Sequence, residues 1–86
     1  MSVTLKIYTP EKAYASYKAA KVVLPIEKGN LTIIHGRAPR SQVLSAGKVM
    51  LLDENNNAFK KWQIGGGLLE VAEDVCQIAV EAVEEI

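Results

Sequence analysis

Four features of the chain carry residue types that could do chemistry: a lone histidine at His35, a lone cysteine at Cys76, the triglycine Gly65-Gly66-Gly67, and the acids Glu70, Glu73, Asp74, Glu81, Glu84 and Glu85. A histidine acting as general base needs an orienting acid and a nucleophile, and no spacing singles either out. Beside Gly36, His35 reads as a loop or hinge residue, and as a metal ligand it lacks a second strong partner. Cys76 can form neither an intrachain disulfide nor a thiolate cluster, which suits a reducing compartment. Its plain reading is a small apolar residue in or near the core. The triglycine invites a phosphate-cradling loop, but that mechanism needs a following helix N-terminus with a Lys and a Ser or Thr at fixed spacing. Leu68-Leu69-Glu70-Val71 is strand-like instead, so the glycines read as a bulge or a close crossing of two backbones. The acids could serve as paired carboxylates for acid–base work, yet they lie on or around a strand and at the terminus, where solvated faces are ordinary. Arg37 and Arg40 flank Pro39 in a loop and read either as solvated side chains or as a docking point for an acidic or polar partner. No enzyme constellation and no cofactor site emerges.

The elements that would position these residues are strands. Val3, Leu5 and Ile7 alternate with Thr4, Lys6 and Tyr8, the period of a half-buried strand, and Pro10 ends it. Residues 14–24 would tolerate a helix over Tyr14–Ala20, but Val22-Val23-Leu24-Pro25 is strand with a stop, and no good helix cap precedes Tyr14, so extended structure is expected. Lys28-Gly29-Asn30 is a turn, Leu31–Ile34 a short strand, and residues 35–39 a loop broken by Gly36 and Pro39. Gln42–Leu44 reads as a short extended piece, Ala46-Gly47 as a turn, and Lys48–Leu52 as a strand. Residues 53–57 form a hairpin loop, with Asn tolerating the positive φ such loops use. Ala58–Ile64 returns, Gly65–Gly67 breaks the pattern, and Leu68–Val71 follows as a strand. Glu73-Asp74 turns, and Val75–Val83 alternates once more, although its Ala, Glu and Val could also wind into a helix. Short strands at regular spacing with Gly, Pro and Asn turns imply an all-β sandwich or barrel, as a single domain over residues 1–86.

The net charge is zero, but residues 1–61 hold all ten Lys and Arg against four acids, while residues 62–86 hold six acids and no base. That split marks either an acidic patch for a basic partner or strands from the two regions lying side by side so that charges mix. The balance argues against nucleic acid, which favours a basic stripe, and one Trp and one Phe make a poor base-stacking platform. Lys6 and Glu11 follow Met1 with no apolar run, so no signal peptide is expected, and no stretch is long enough to span a bilayer.

Two segments resemble one family. LPIEKGNLTIIHGRAPRSQVLSAG, residues 24–47, is similar to a stretch of the ATP synthase epsilon family: Leu-Pro, a Gly-rich turn, a short strand, a Pro-Gly-His-Ala-Pro-Leu loop and a strand-opening Gly. IGGGLLEV, residues 64–71, is similar to that family's Gly-Gly-Phe-Leu-Glu-Val. The opening VTLKIYTPEKAYASYKAAKVVLP resembles its first hairpin and DVCQIAVEAVE its closing strand, so the likeness covers nearly the whole chain.

The resemblance implies a flattened ten-stranded β-sandwich or barrel with no active site and no cofactor. It implies a rotor-stalk subunit that packs on the gamma subunit, rests on the ring of membrane c subunits, and couples ion flow to ATP synthesis. Contact with the membrane would come only through that complex, at the cytoplasmic face of the bacterial inner membrane. By position, Thr9, Arg37, Gln42, Gly65 and Leu68 fall toward gamma, and Gly29, Asn30 and Arg37 toward the c ring, while Gly66, Gly67 and Glu70 match the second motif. Asn30 stands where many members have an acid, His35 where they have the loop Pro, Arg37 where they have the loop His, and Arg40 where they have an apolar residue. Longer members continue into two C-terminal helices that restrain ATP hydrolysis and in some cases bind ATP; a native chain ending at Ile86 would lack them. The docking function predicts an exposed apolar patch around Arg37–Val43 and Gly65–Leu69, through which isolated copies would self-associate. The altered loop leaves two alternatives: a stand-alone interaction module, and a small hydrolase or ligand binder built on His35.

Overall fold

The computed structural model describes residues 1–11 and 13–86. Eight strands follow one another: β1 (Val3–Tyr8), β2 (Ala13–Ala19), β3 (Lys21–Ile26), β4 (Gly29–Ile33), β5 (Arg40–Leu52), β6 (Ala58–Ala72), β7 (Val75–Val80) and β8 (Val83–Glu85). They hydrogen-bond in the order β2-β1-β7-β6-β5-β3-β4, with β8 on β6. Every pair is antiparallel except β1 with β7, where Thr4 to Tyr8 run parallel to Val75 to Ala79. The two long strands belong to both layers of a sandwich. One layer holds β2, β1, β7, the second half of β6 and the first half of β5; the other holds β8, the remaining halves of β6 and β5, β3 and β4.

The passage of β5 and β6 between layers is written in their burial. On β5, Leu44 is buried in the first half and Val49 and Leu51 in the second; on β6, Trp62 and Ile64 precede the glycines and Leu69 and Val71 follow them. The inward positions change from even to odd numbers on both strands, yet the register is the same from Arg40 opposite Val71 to Leu51 opposite Lys60, with only Ser45 and Gly66 at the crossing left out of the pairing. The ribbon therefore presents one face to the core before the crossing and the opposite face after it, without a slip in register. All of these residues join one apolar core with Leu5, Ile7, Leu24, Cys76 and Ile78.

Glycine is required where a neighbouring strand comes closest to the crossing ribbon. A Cβ on Gly67 would lie 2.3 Å from the Ala79 carbonyl oxygen, and one on Gly47 would lie 2.7 Å from Pro25 Cβ. Pro25 also ends the pairing of β3 with β5, which stops at Val23 opposite Met50. Pro has no N–H to continue that ladder, so it packs on the bare backbone of Gly47 instead.

Two expectations are corrected here. The segments on either side of Gly47, and those on either side of Gly65–Gly67, are halves of single strands, because a ribbon can twist through glycine without losing its register; among the described residues the strands number eight rather than ten. Nor does the sheet close into a barrel, since β2 and β4 each end the strand order with one edge unpaired. The Asp53–Asn57 and Glu73-Asp74 turns fall where their residues predicted, whereas the Lys28-Gly29-Asn30 turn lies one step earlier, at Glu27-Lys28, with Gly29 and Asn30 opening β4, and Ala46-Gly47 lies within β5. Asp53 Oδ1 accepts the N–H groups of Asn55 and Asn57 at 2.9 Å, with Asn56 at φ 67°, while Glu73 and Asp74 adopt φ 50° and 63° in the two-residue β6–β7 turn. Residues 13–26 are extended, and the closing segment is β7 and β8 rather than helix. The Tyr17 and Trp62 rings meet at 5.2 Å, tying β2 to β6. The uneven charge is partly mixed, as Lys60 Nζ lies 2.7 Å from the Glu85 carboxylate.

Two measurements check this account. Gly67→Ala should cost about 1–3 kcal/mol through overpacking. Gly65→Ala, whose Cβ would find only Ala82 Cβ at 3.8 Å, should change stability by less than about 0.5 kcal/mol; urea unfolding reads both. Burial, and secondarily the Asp74 carboxylate, push the Cys76 thiol up from 9.0 to about 11. The unfolded chain then loses this proton first, so the contribution is intact below pH 9 and lost as pH rises toward 11. Parent stability should fall with pH across that window relative to Cys76→Ala, by at most about 1.4 kcal/mol per pH unit; parallel curves would refute it.

Candidate docking surfaces

Side chains alternate across a strand, so the layer that buries Leu5, Ile7, Cys76, Ile78, Leu69 and Val71 sends the residues between them outward. One outward row is polar: Lys6 opposite Gln77, Gln77 opposite Glu70, Glu70 opposite Ser41. The next row is apolar: Tyr8 opposite Ala79, Ala79 opposite Leu68, Leu68 opposite Val43. Leu68 is 45% and Val43 69% exposed. At the usual strand spacing this band crosses four strands over about 14 Å. At its β1 end it opens into a hollow of about 510 Å³ that Thr9, Pro10, Gly65 and Glu81 also line. A continuous apolar band bordered by a polar row, with no covering element, is the signature of a protein-contact surface.

A second surface lies at the opposite end of this layer. The Gly36 N–H donates to Asp74 Oδ1 at 2.7 Å and pins loop 34–39 to the β6–β7 turn. The loop leads Arg37 and Arg40 to a cleft of about 400 Å³ beside Leu31, Thr32 and Ile33 of β4. Among the described residues, neither guanidinium lies within ion-pair reach of a carboxylate; Arg40 Nη2 donates to Gln42 Oε1 at 2.9 Å.

The residues expected at interfaces are thus distributed in a definite way. Thr9, Gly65 and Leu68 share the hollow at the end of the apolar band. Gln42 is adjacent to Val43 in sequence but has the opposite phase: it lies opposite buried Leu69 and accepts from Arg40 Nη2 at 2.9 Å, beside the band at the β5 edge and not on its outward face. Arg37 is not with them. Gly36 is fastened to Asp74 beside Thr4 and Val75, whereas Thr9 follows Tyr8 and Ala79 four residues further along β1 and β7, about 13 Å away. Gly29 and Asn30 sit exposed at the β3–β4 turn, at the other end of β4 from the Arg37 cleft. His35 is exposed in the loop, and the described residues contain no group of three His, Cys, Asp or Glu fit to hold a metal ion. Sequence reasoning passed over Tyr8 and Ala79. Their signal was present, since each is an apolar side chain at a position where the alternation calls for a polar one.

The family model described as ATP synthase, Delta/Epsilon chain, beta-sandwich domain matches residues 2–86. The ATP synthase epsilon chain of Nostoc punctiforme is 31% identical over 84 residues, which are 98% of this chain and 61% of that protein. The epsilon chain of Chlorobaculum tepidum is 34% identical over 82 residues, 93% of this chain and 90% of that one. A chain in the cryo-EM structure of the Euglena gracilis mitochondrial ATP synthase (OSCP/F1/c-ring, rotational state 1) has TM-score 0.83 at 16% identity, over 98% of this chain and 53% of that chain. A chain of the Tetrahymena thermophila mitochondrial ATP synthase central stalk and c-ring gives 0.74 at 20% identity, over 98% and 66%. The two structures speak to the fold, and the sequence matches speak to descent. Matched along almost its entire length and spanning about three fifths of most of the curated relatives it resembles, the chain belongs to the family of ATP synthase delta/epsilon β-sandwich domains.

Proposed function

We propose that this chain is a non-catalytic central-stalk subunit of an F-type ATP synthase. In this reading it joins the gamma subunit to the c ring, so that ion translocation is coupled to ATP synthesis. The observation that carries the reading is the exposed apolar band Tyr8–Ala79–Leu68–Val43, a preformed contact surface on a chain of this family. Gamma takes the band and its hollow, through Thr9, Gly65, Leu68 and Gln42. The c ring takes a surface along β4, through Gly29 and Asn30 at one end of the strand and Arg37 at the other. Arg37 belongs with the second set because it lies away from the hollow. Two separate surfaces suit a part that must grip two partners at once. The chain works at the membrane as a peripheral piece of the complex, at the cytoplasmic face of a bacterial inner membrane, and needs no cofactor.

A binding titration against the gamma subunit of the same organism tests this. Leu68→Glu places a charge at the centre of the band and should weaken binding roughly tenfold or more, as truncation of a central anchor does. Arg37→Glu should leave gamma binding unchanged and weaken association with the c ring. Undiminished gamma binding by Leu68→Glu would remove the band from the interface, and a parent chain that binds neither partner would favour a stand-alone interaction module.

A further inference from the structure

The cleft beside β4 has three properties that do not follow from a role in gripping gamma. First, it runs along an unpaired strand edge, since β4 ends the strand order. The β3–β5 ladder reaches Val23 and stops before Pro25, so alternate residues Lys21 and Val23 turn their backbone groups toward β5 while Val22 and Leu24 turn theirs toward β4. The β4 partners of Val22 and Leu24 are Ile33 and Leu31. Thr32, between them, therefore directs its N–H and C=O away from β3, out of the free edge and into the cleft. Second, the cleft is partly apolar, with Leu31, Ile33, Ala38 and Pro39 among its walls. Third, Arg37 and Arg40 stand at its rim with no carboxylate paired to them.

We infer that this cleft takes an extended, acidic segment of a partner protein, which adds to the sheet along β4. Main-chain hydrogen bonds to Thr32 set the register, apolar side chains of the segment fill the floor, and a carboxylate one step along is held by the Arg37 and Arg40 guanidinium groups. Charge complementarity decides the sign of the occupant. The free N–H and C=O pair and the apolar floor decide in favour of a peptide strand over a lone phosphate or a lipid headgroup, which would use the arginines alone. The site goes beyond the stalk reading and shares only Arg37 with it, so a segment in the cleft and the c ring would compete for that side chain; the edge of β4, the apolar floor and Arg40 are used by the segment alone.

The probe is a library of short random peptides selected for binding to the chain, with each enriched peptide then titrated against variants. Enriched peptides should carry Asp or Glu beside β-branched residues. Arg37→Gln with Arg40→Gln, both at exposed positions, should weaken them roughly tenfold or more, and Leu68→Glu should have no effect. Thr32→Pro, which removes the edge N–H from a position that β3 does not use, should abolish binding while the fold persists. In the complex, amide exchange at Thr32 should slow by about tenfold or more. Enrichment of peptides without acids, or binding that leaves Thr32 exchange unchanged, overturns the inference. So does binding of anionic phosphatidylglycerol vesicles that depends on the two arginines and is untouched by Thr32→Pro, since the cleft would then be a headgroup site. Failure here with intact gamma binding leaves the stalk reading standing, and loss of gamma binding in Leu68→Glu is independent of either outcome.

Discussion

Everything in this sandwich depends on one two-stranded ribbon changing sides. The paired strands β5 and β6 serve as an edge and its neighbour in one layer and as central strands in the other, and their inward faces are opposite in the two. That reversal is compatible with a constant register only where no Cβ intrudes, which is why glycine occupies both strands at the crossing. The apolar core follows from it: Leu44, Leu69 and Val71 approach from one side, and Val49, Leu51, Trp62 and Ile64 from the other. The exposed band follows too, because the phase that buries Leu69 fixes Leu68 outward, opposite Val43 and Ala79.

The two surfaces are then parts of one picture. A small domain buries a limited share of its surface, and what it leaves open is decided by strand phase and strand order. Here phase leaves an apolar face on one layer, and order leaves a bare edge on the other, with two arginines beside it. The first surface is hydrophobic and the second directional and charged, so the two differ in the physics by which each would select what binds it. A flat apolar band measures shape, while an edge with a guanidinium rim measures backbone direction and charge.

Much of this was legible in the chain itself. The alternation of Val3, Leu5 and Ile7, the Asp53–Asn57 loop, the Glu73-Asp74 turn and the burial of Cys76 all follow from residue type and local period. The continuity of β5 and β6 was not legible, because a glycine that ends a strand and a glycine that lets a strand twist through another layer look identical in sequence. The sandwich was readable, but its strand count and its openness were not, since both depend on which edges meet. Likewise the separation of Arg37 from Thr9 was not legible, since it follows from the parallel pairing of β1 with β7 and the fastening of Gly36 to Asp74.

That parallel pair has a consequence for how the molecule is made. β1 is flanked by β2, its immediate successor, and by β7, which lies some seventy positions later, with Thr4 opposite Val75. During synthesis at roughly 5–20 residues per second, the β1–β2 hairpin spends several seconds beside the ribosome with one edge unsatisfied and its inner face uncovered. Val3, Leu5 and Ile7, all buried in the folded domain, are then made early and are among the last of its core groups to be sheltered. The hairpin thus carries a chaperone-recognition problem from the moment it is made, and is relieved of it only when β7 arrives to complete the layer.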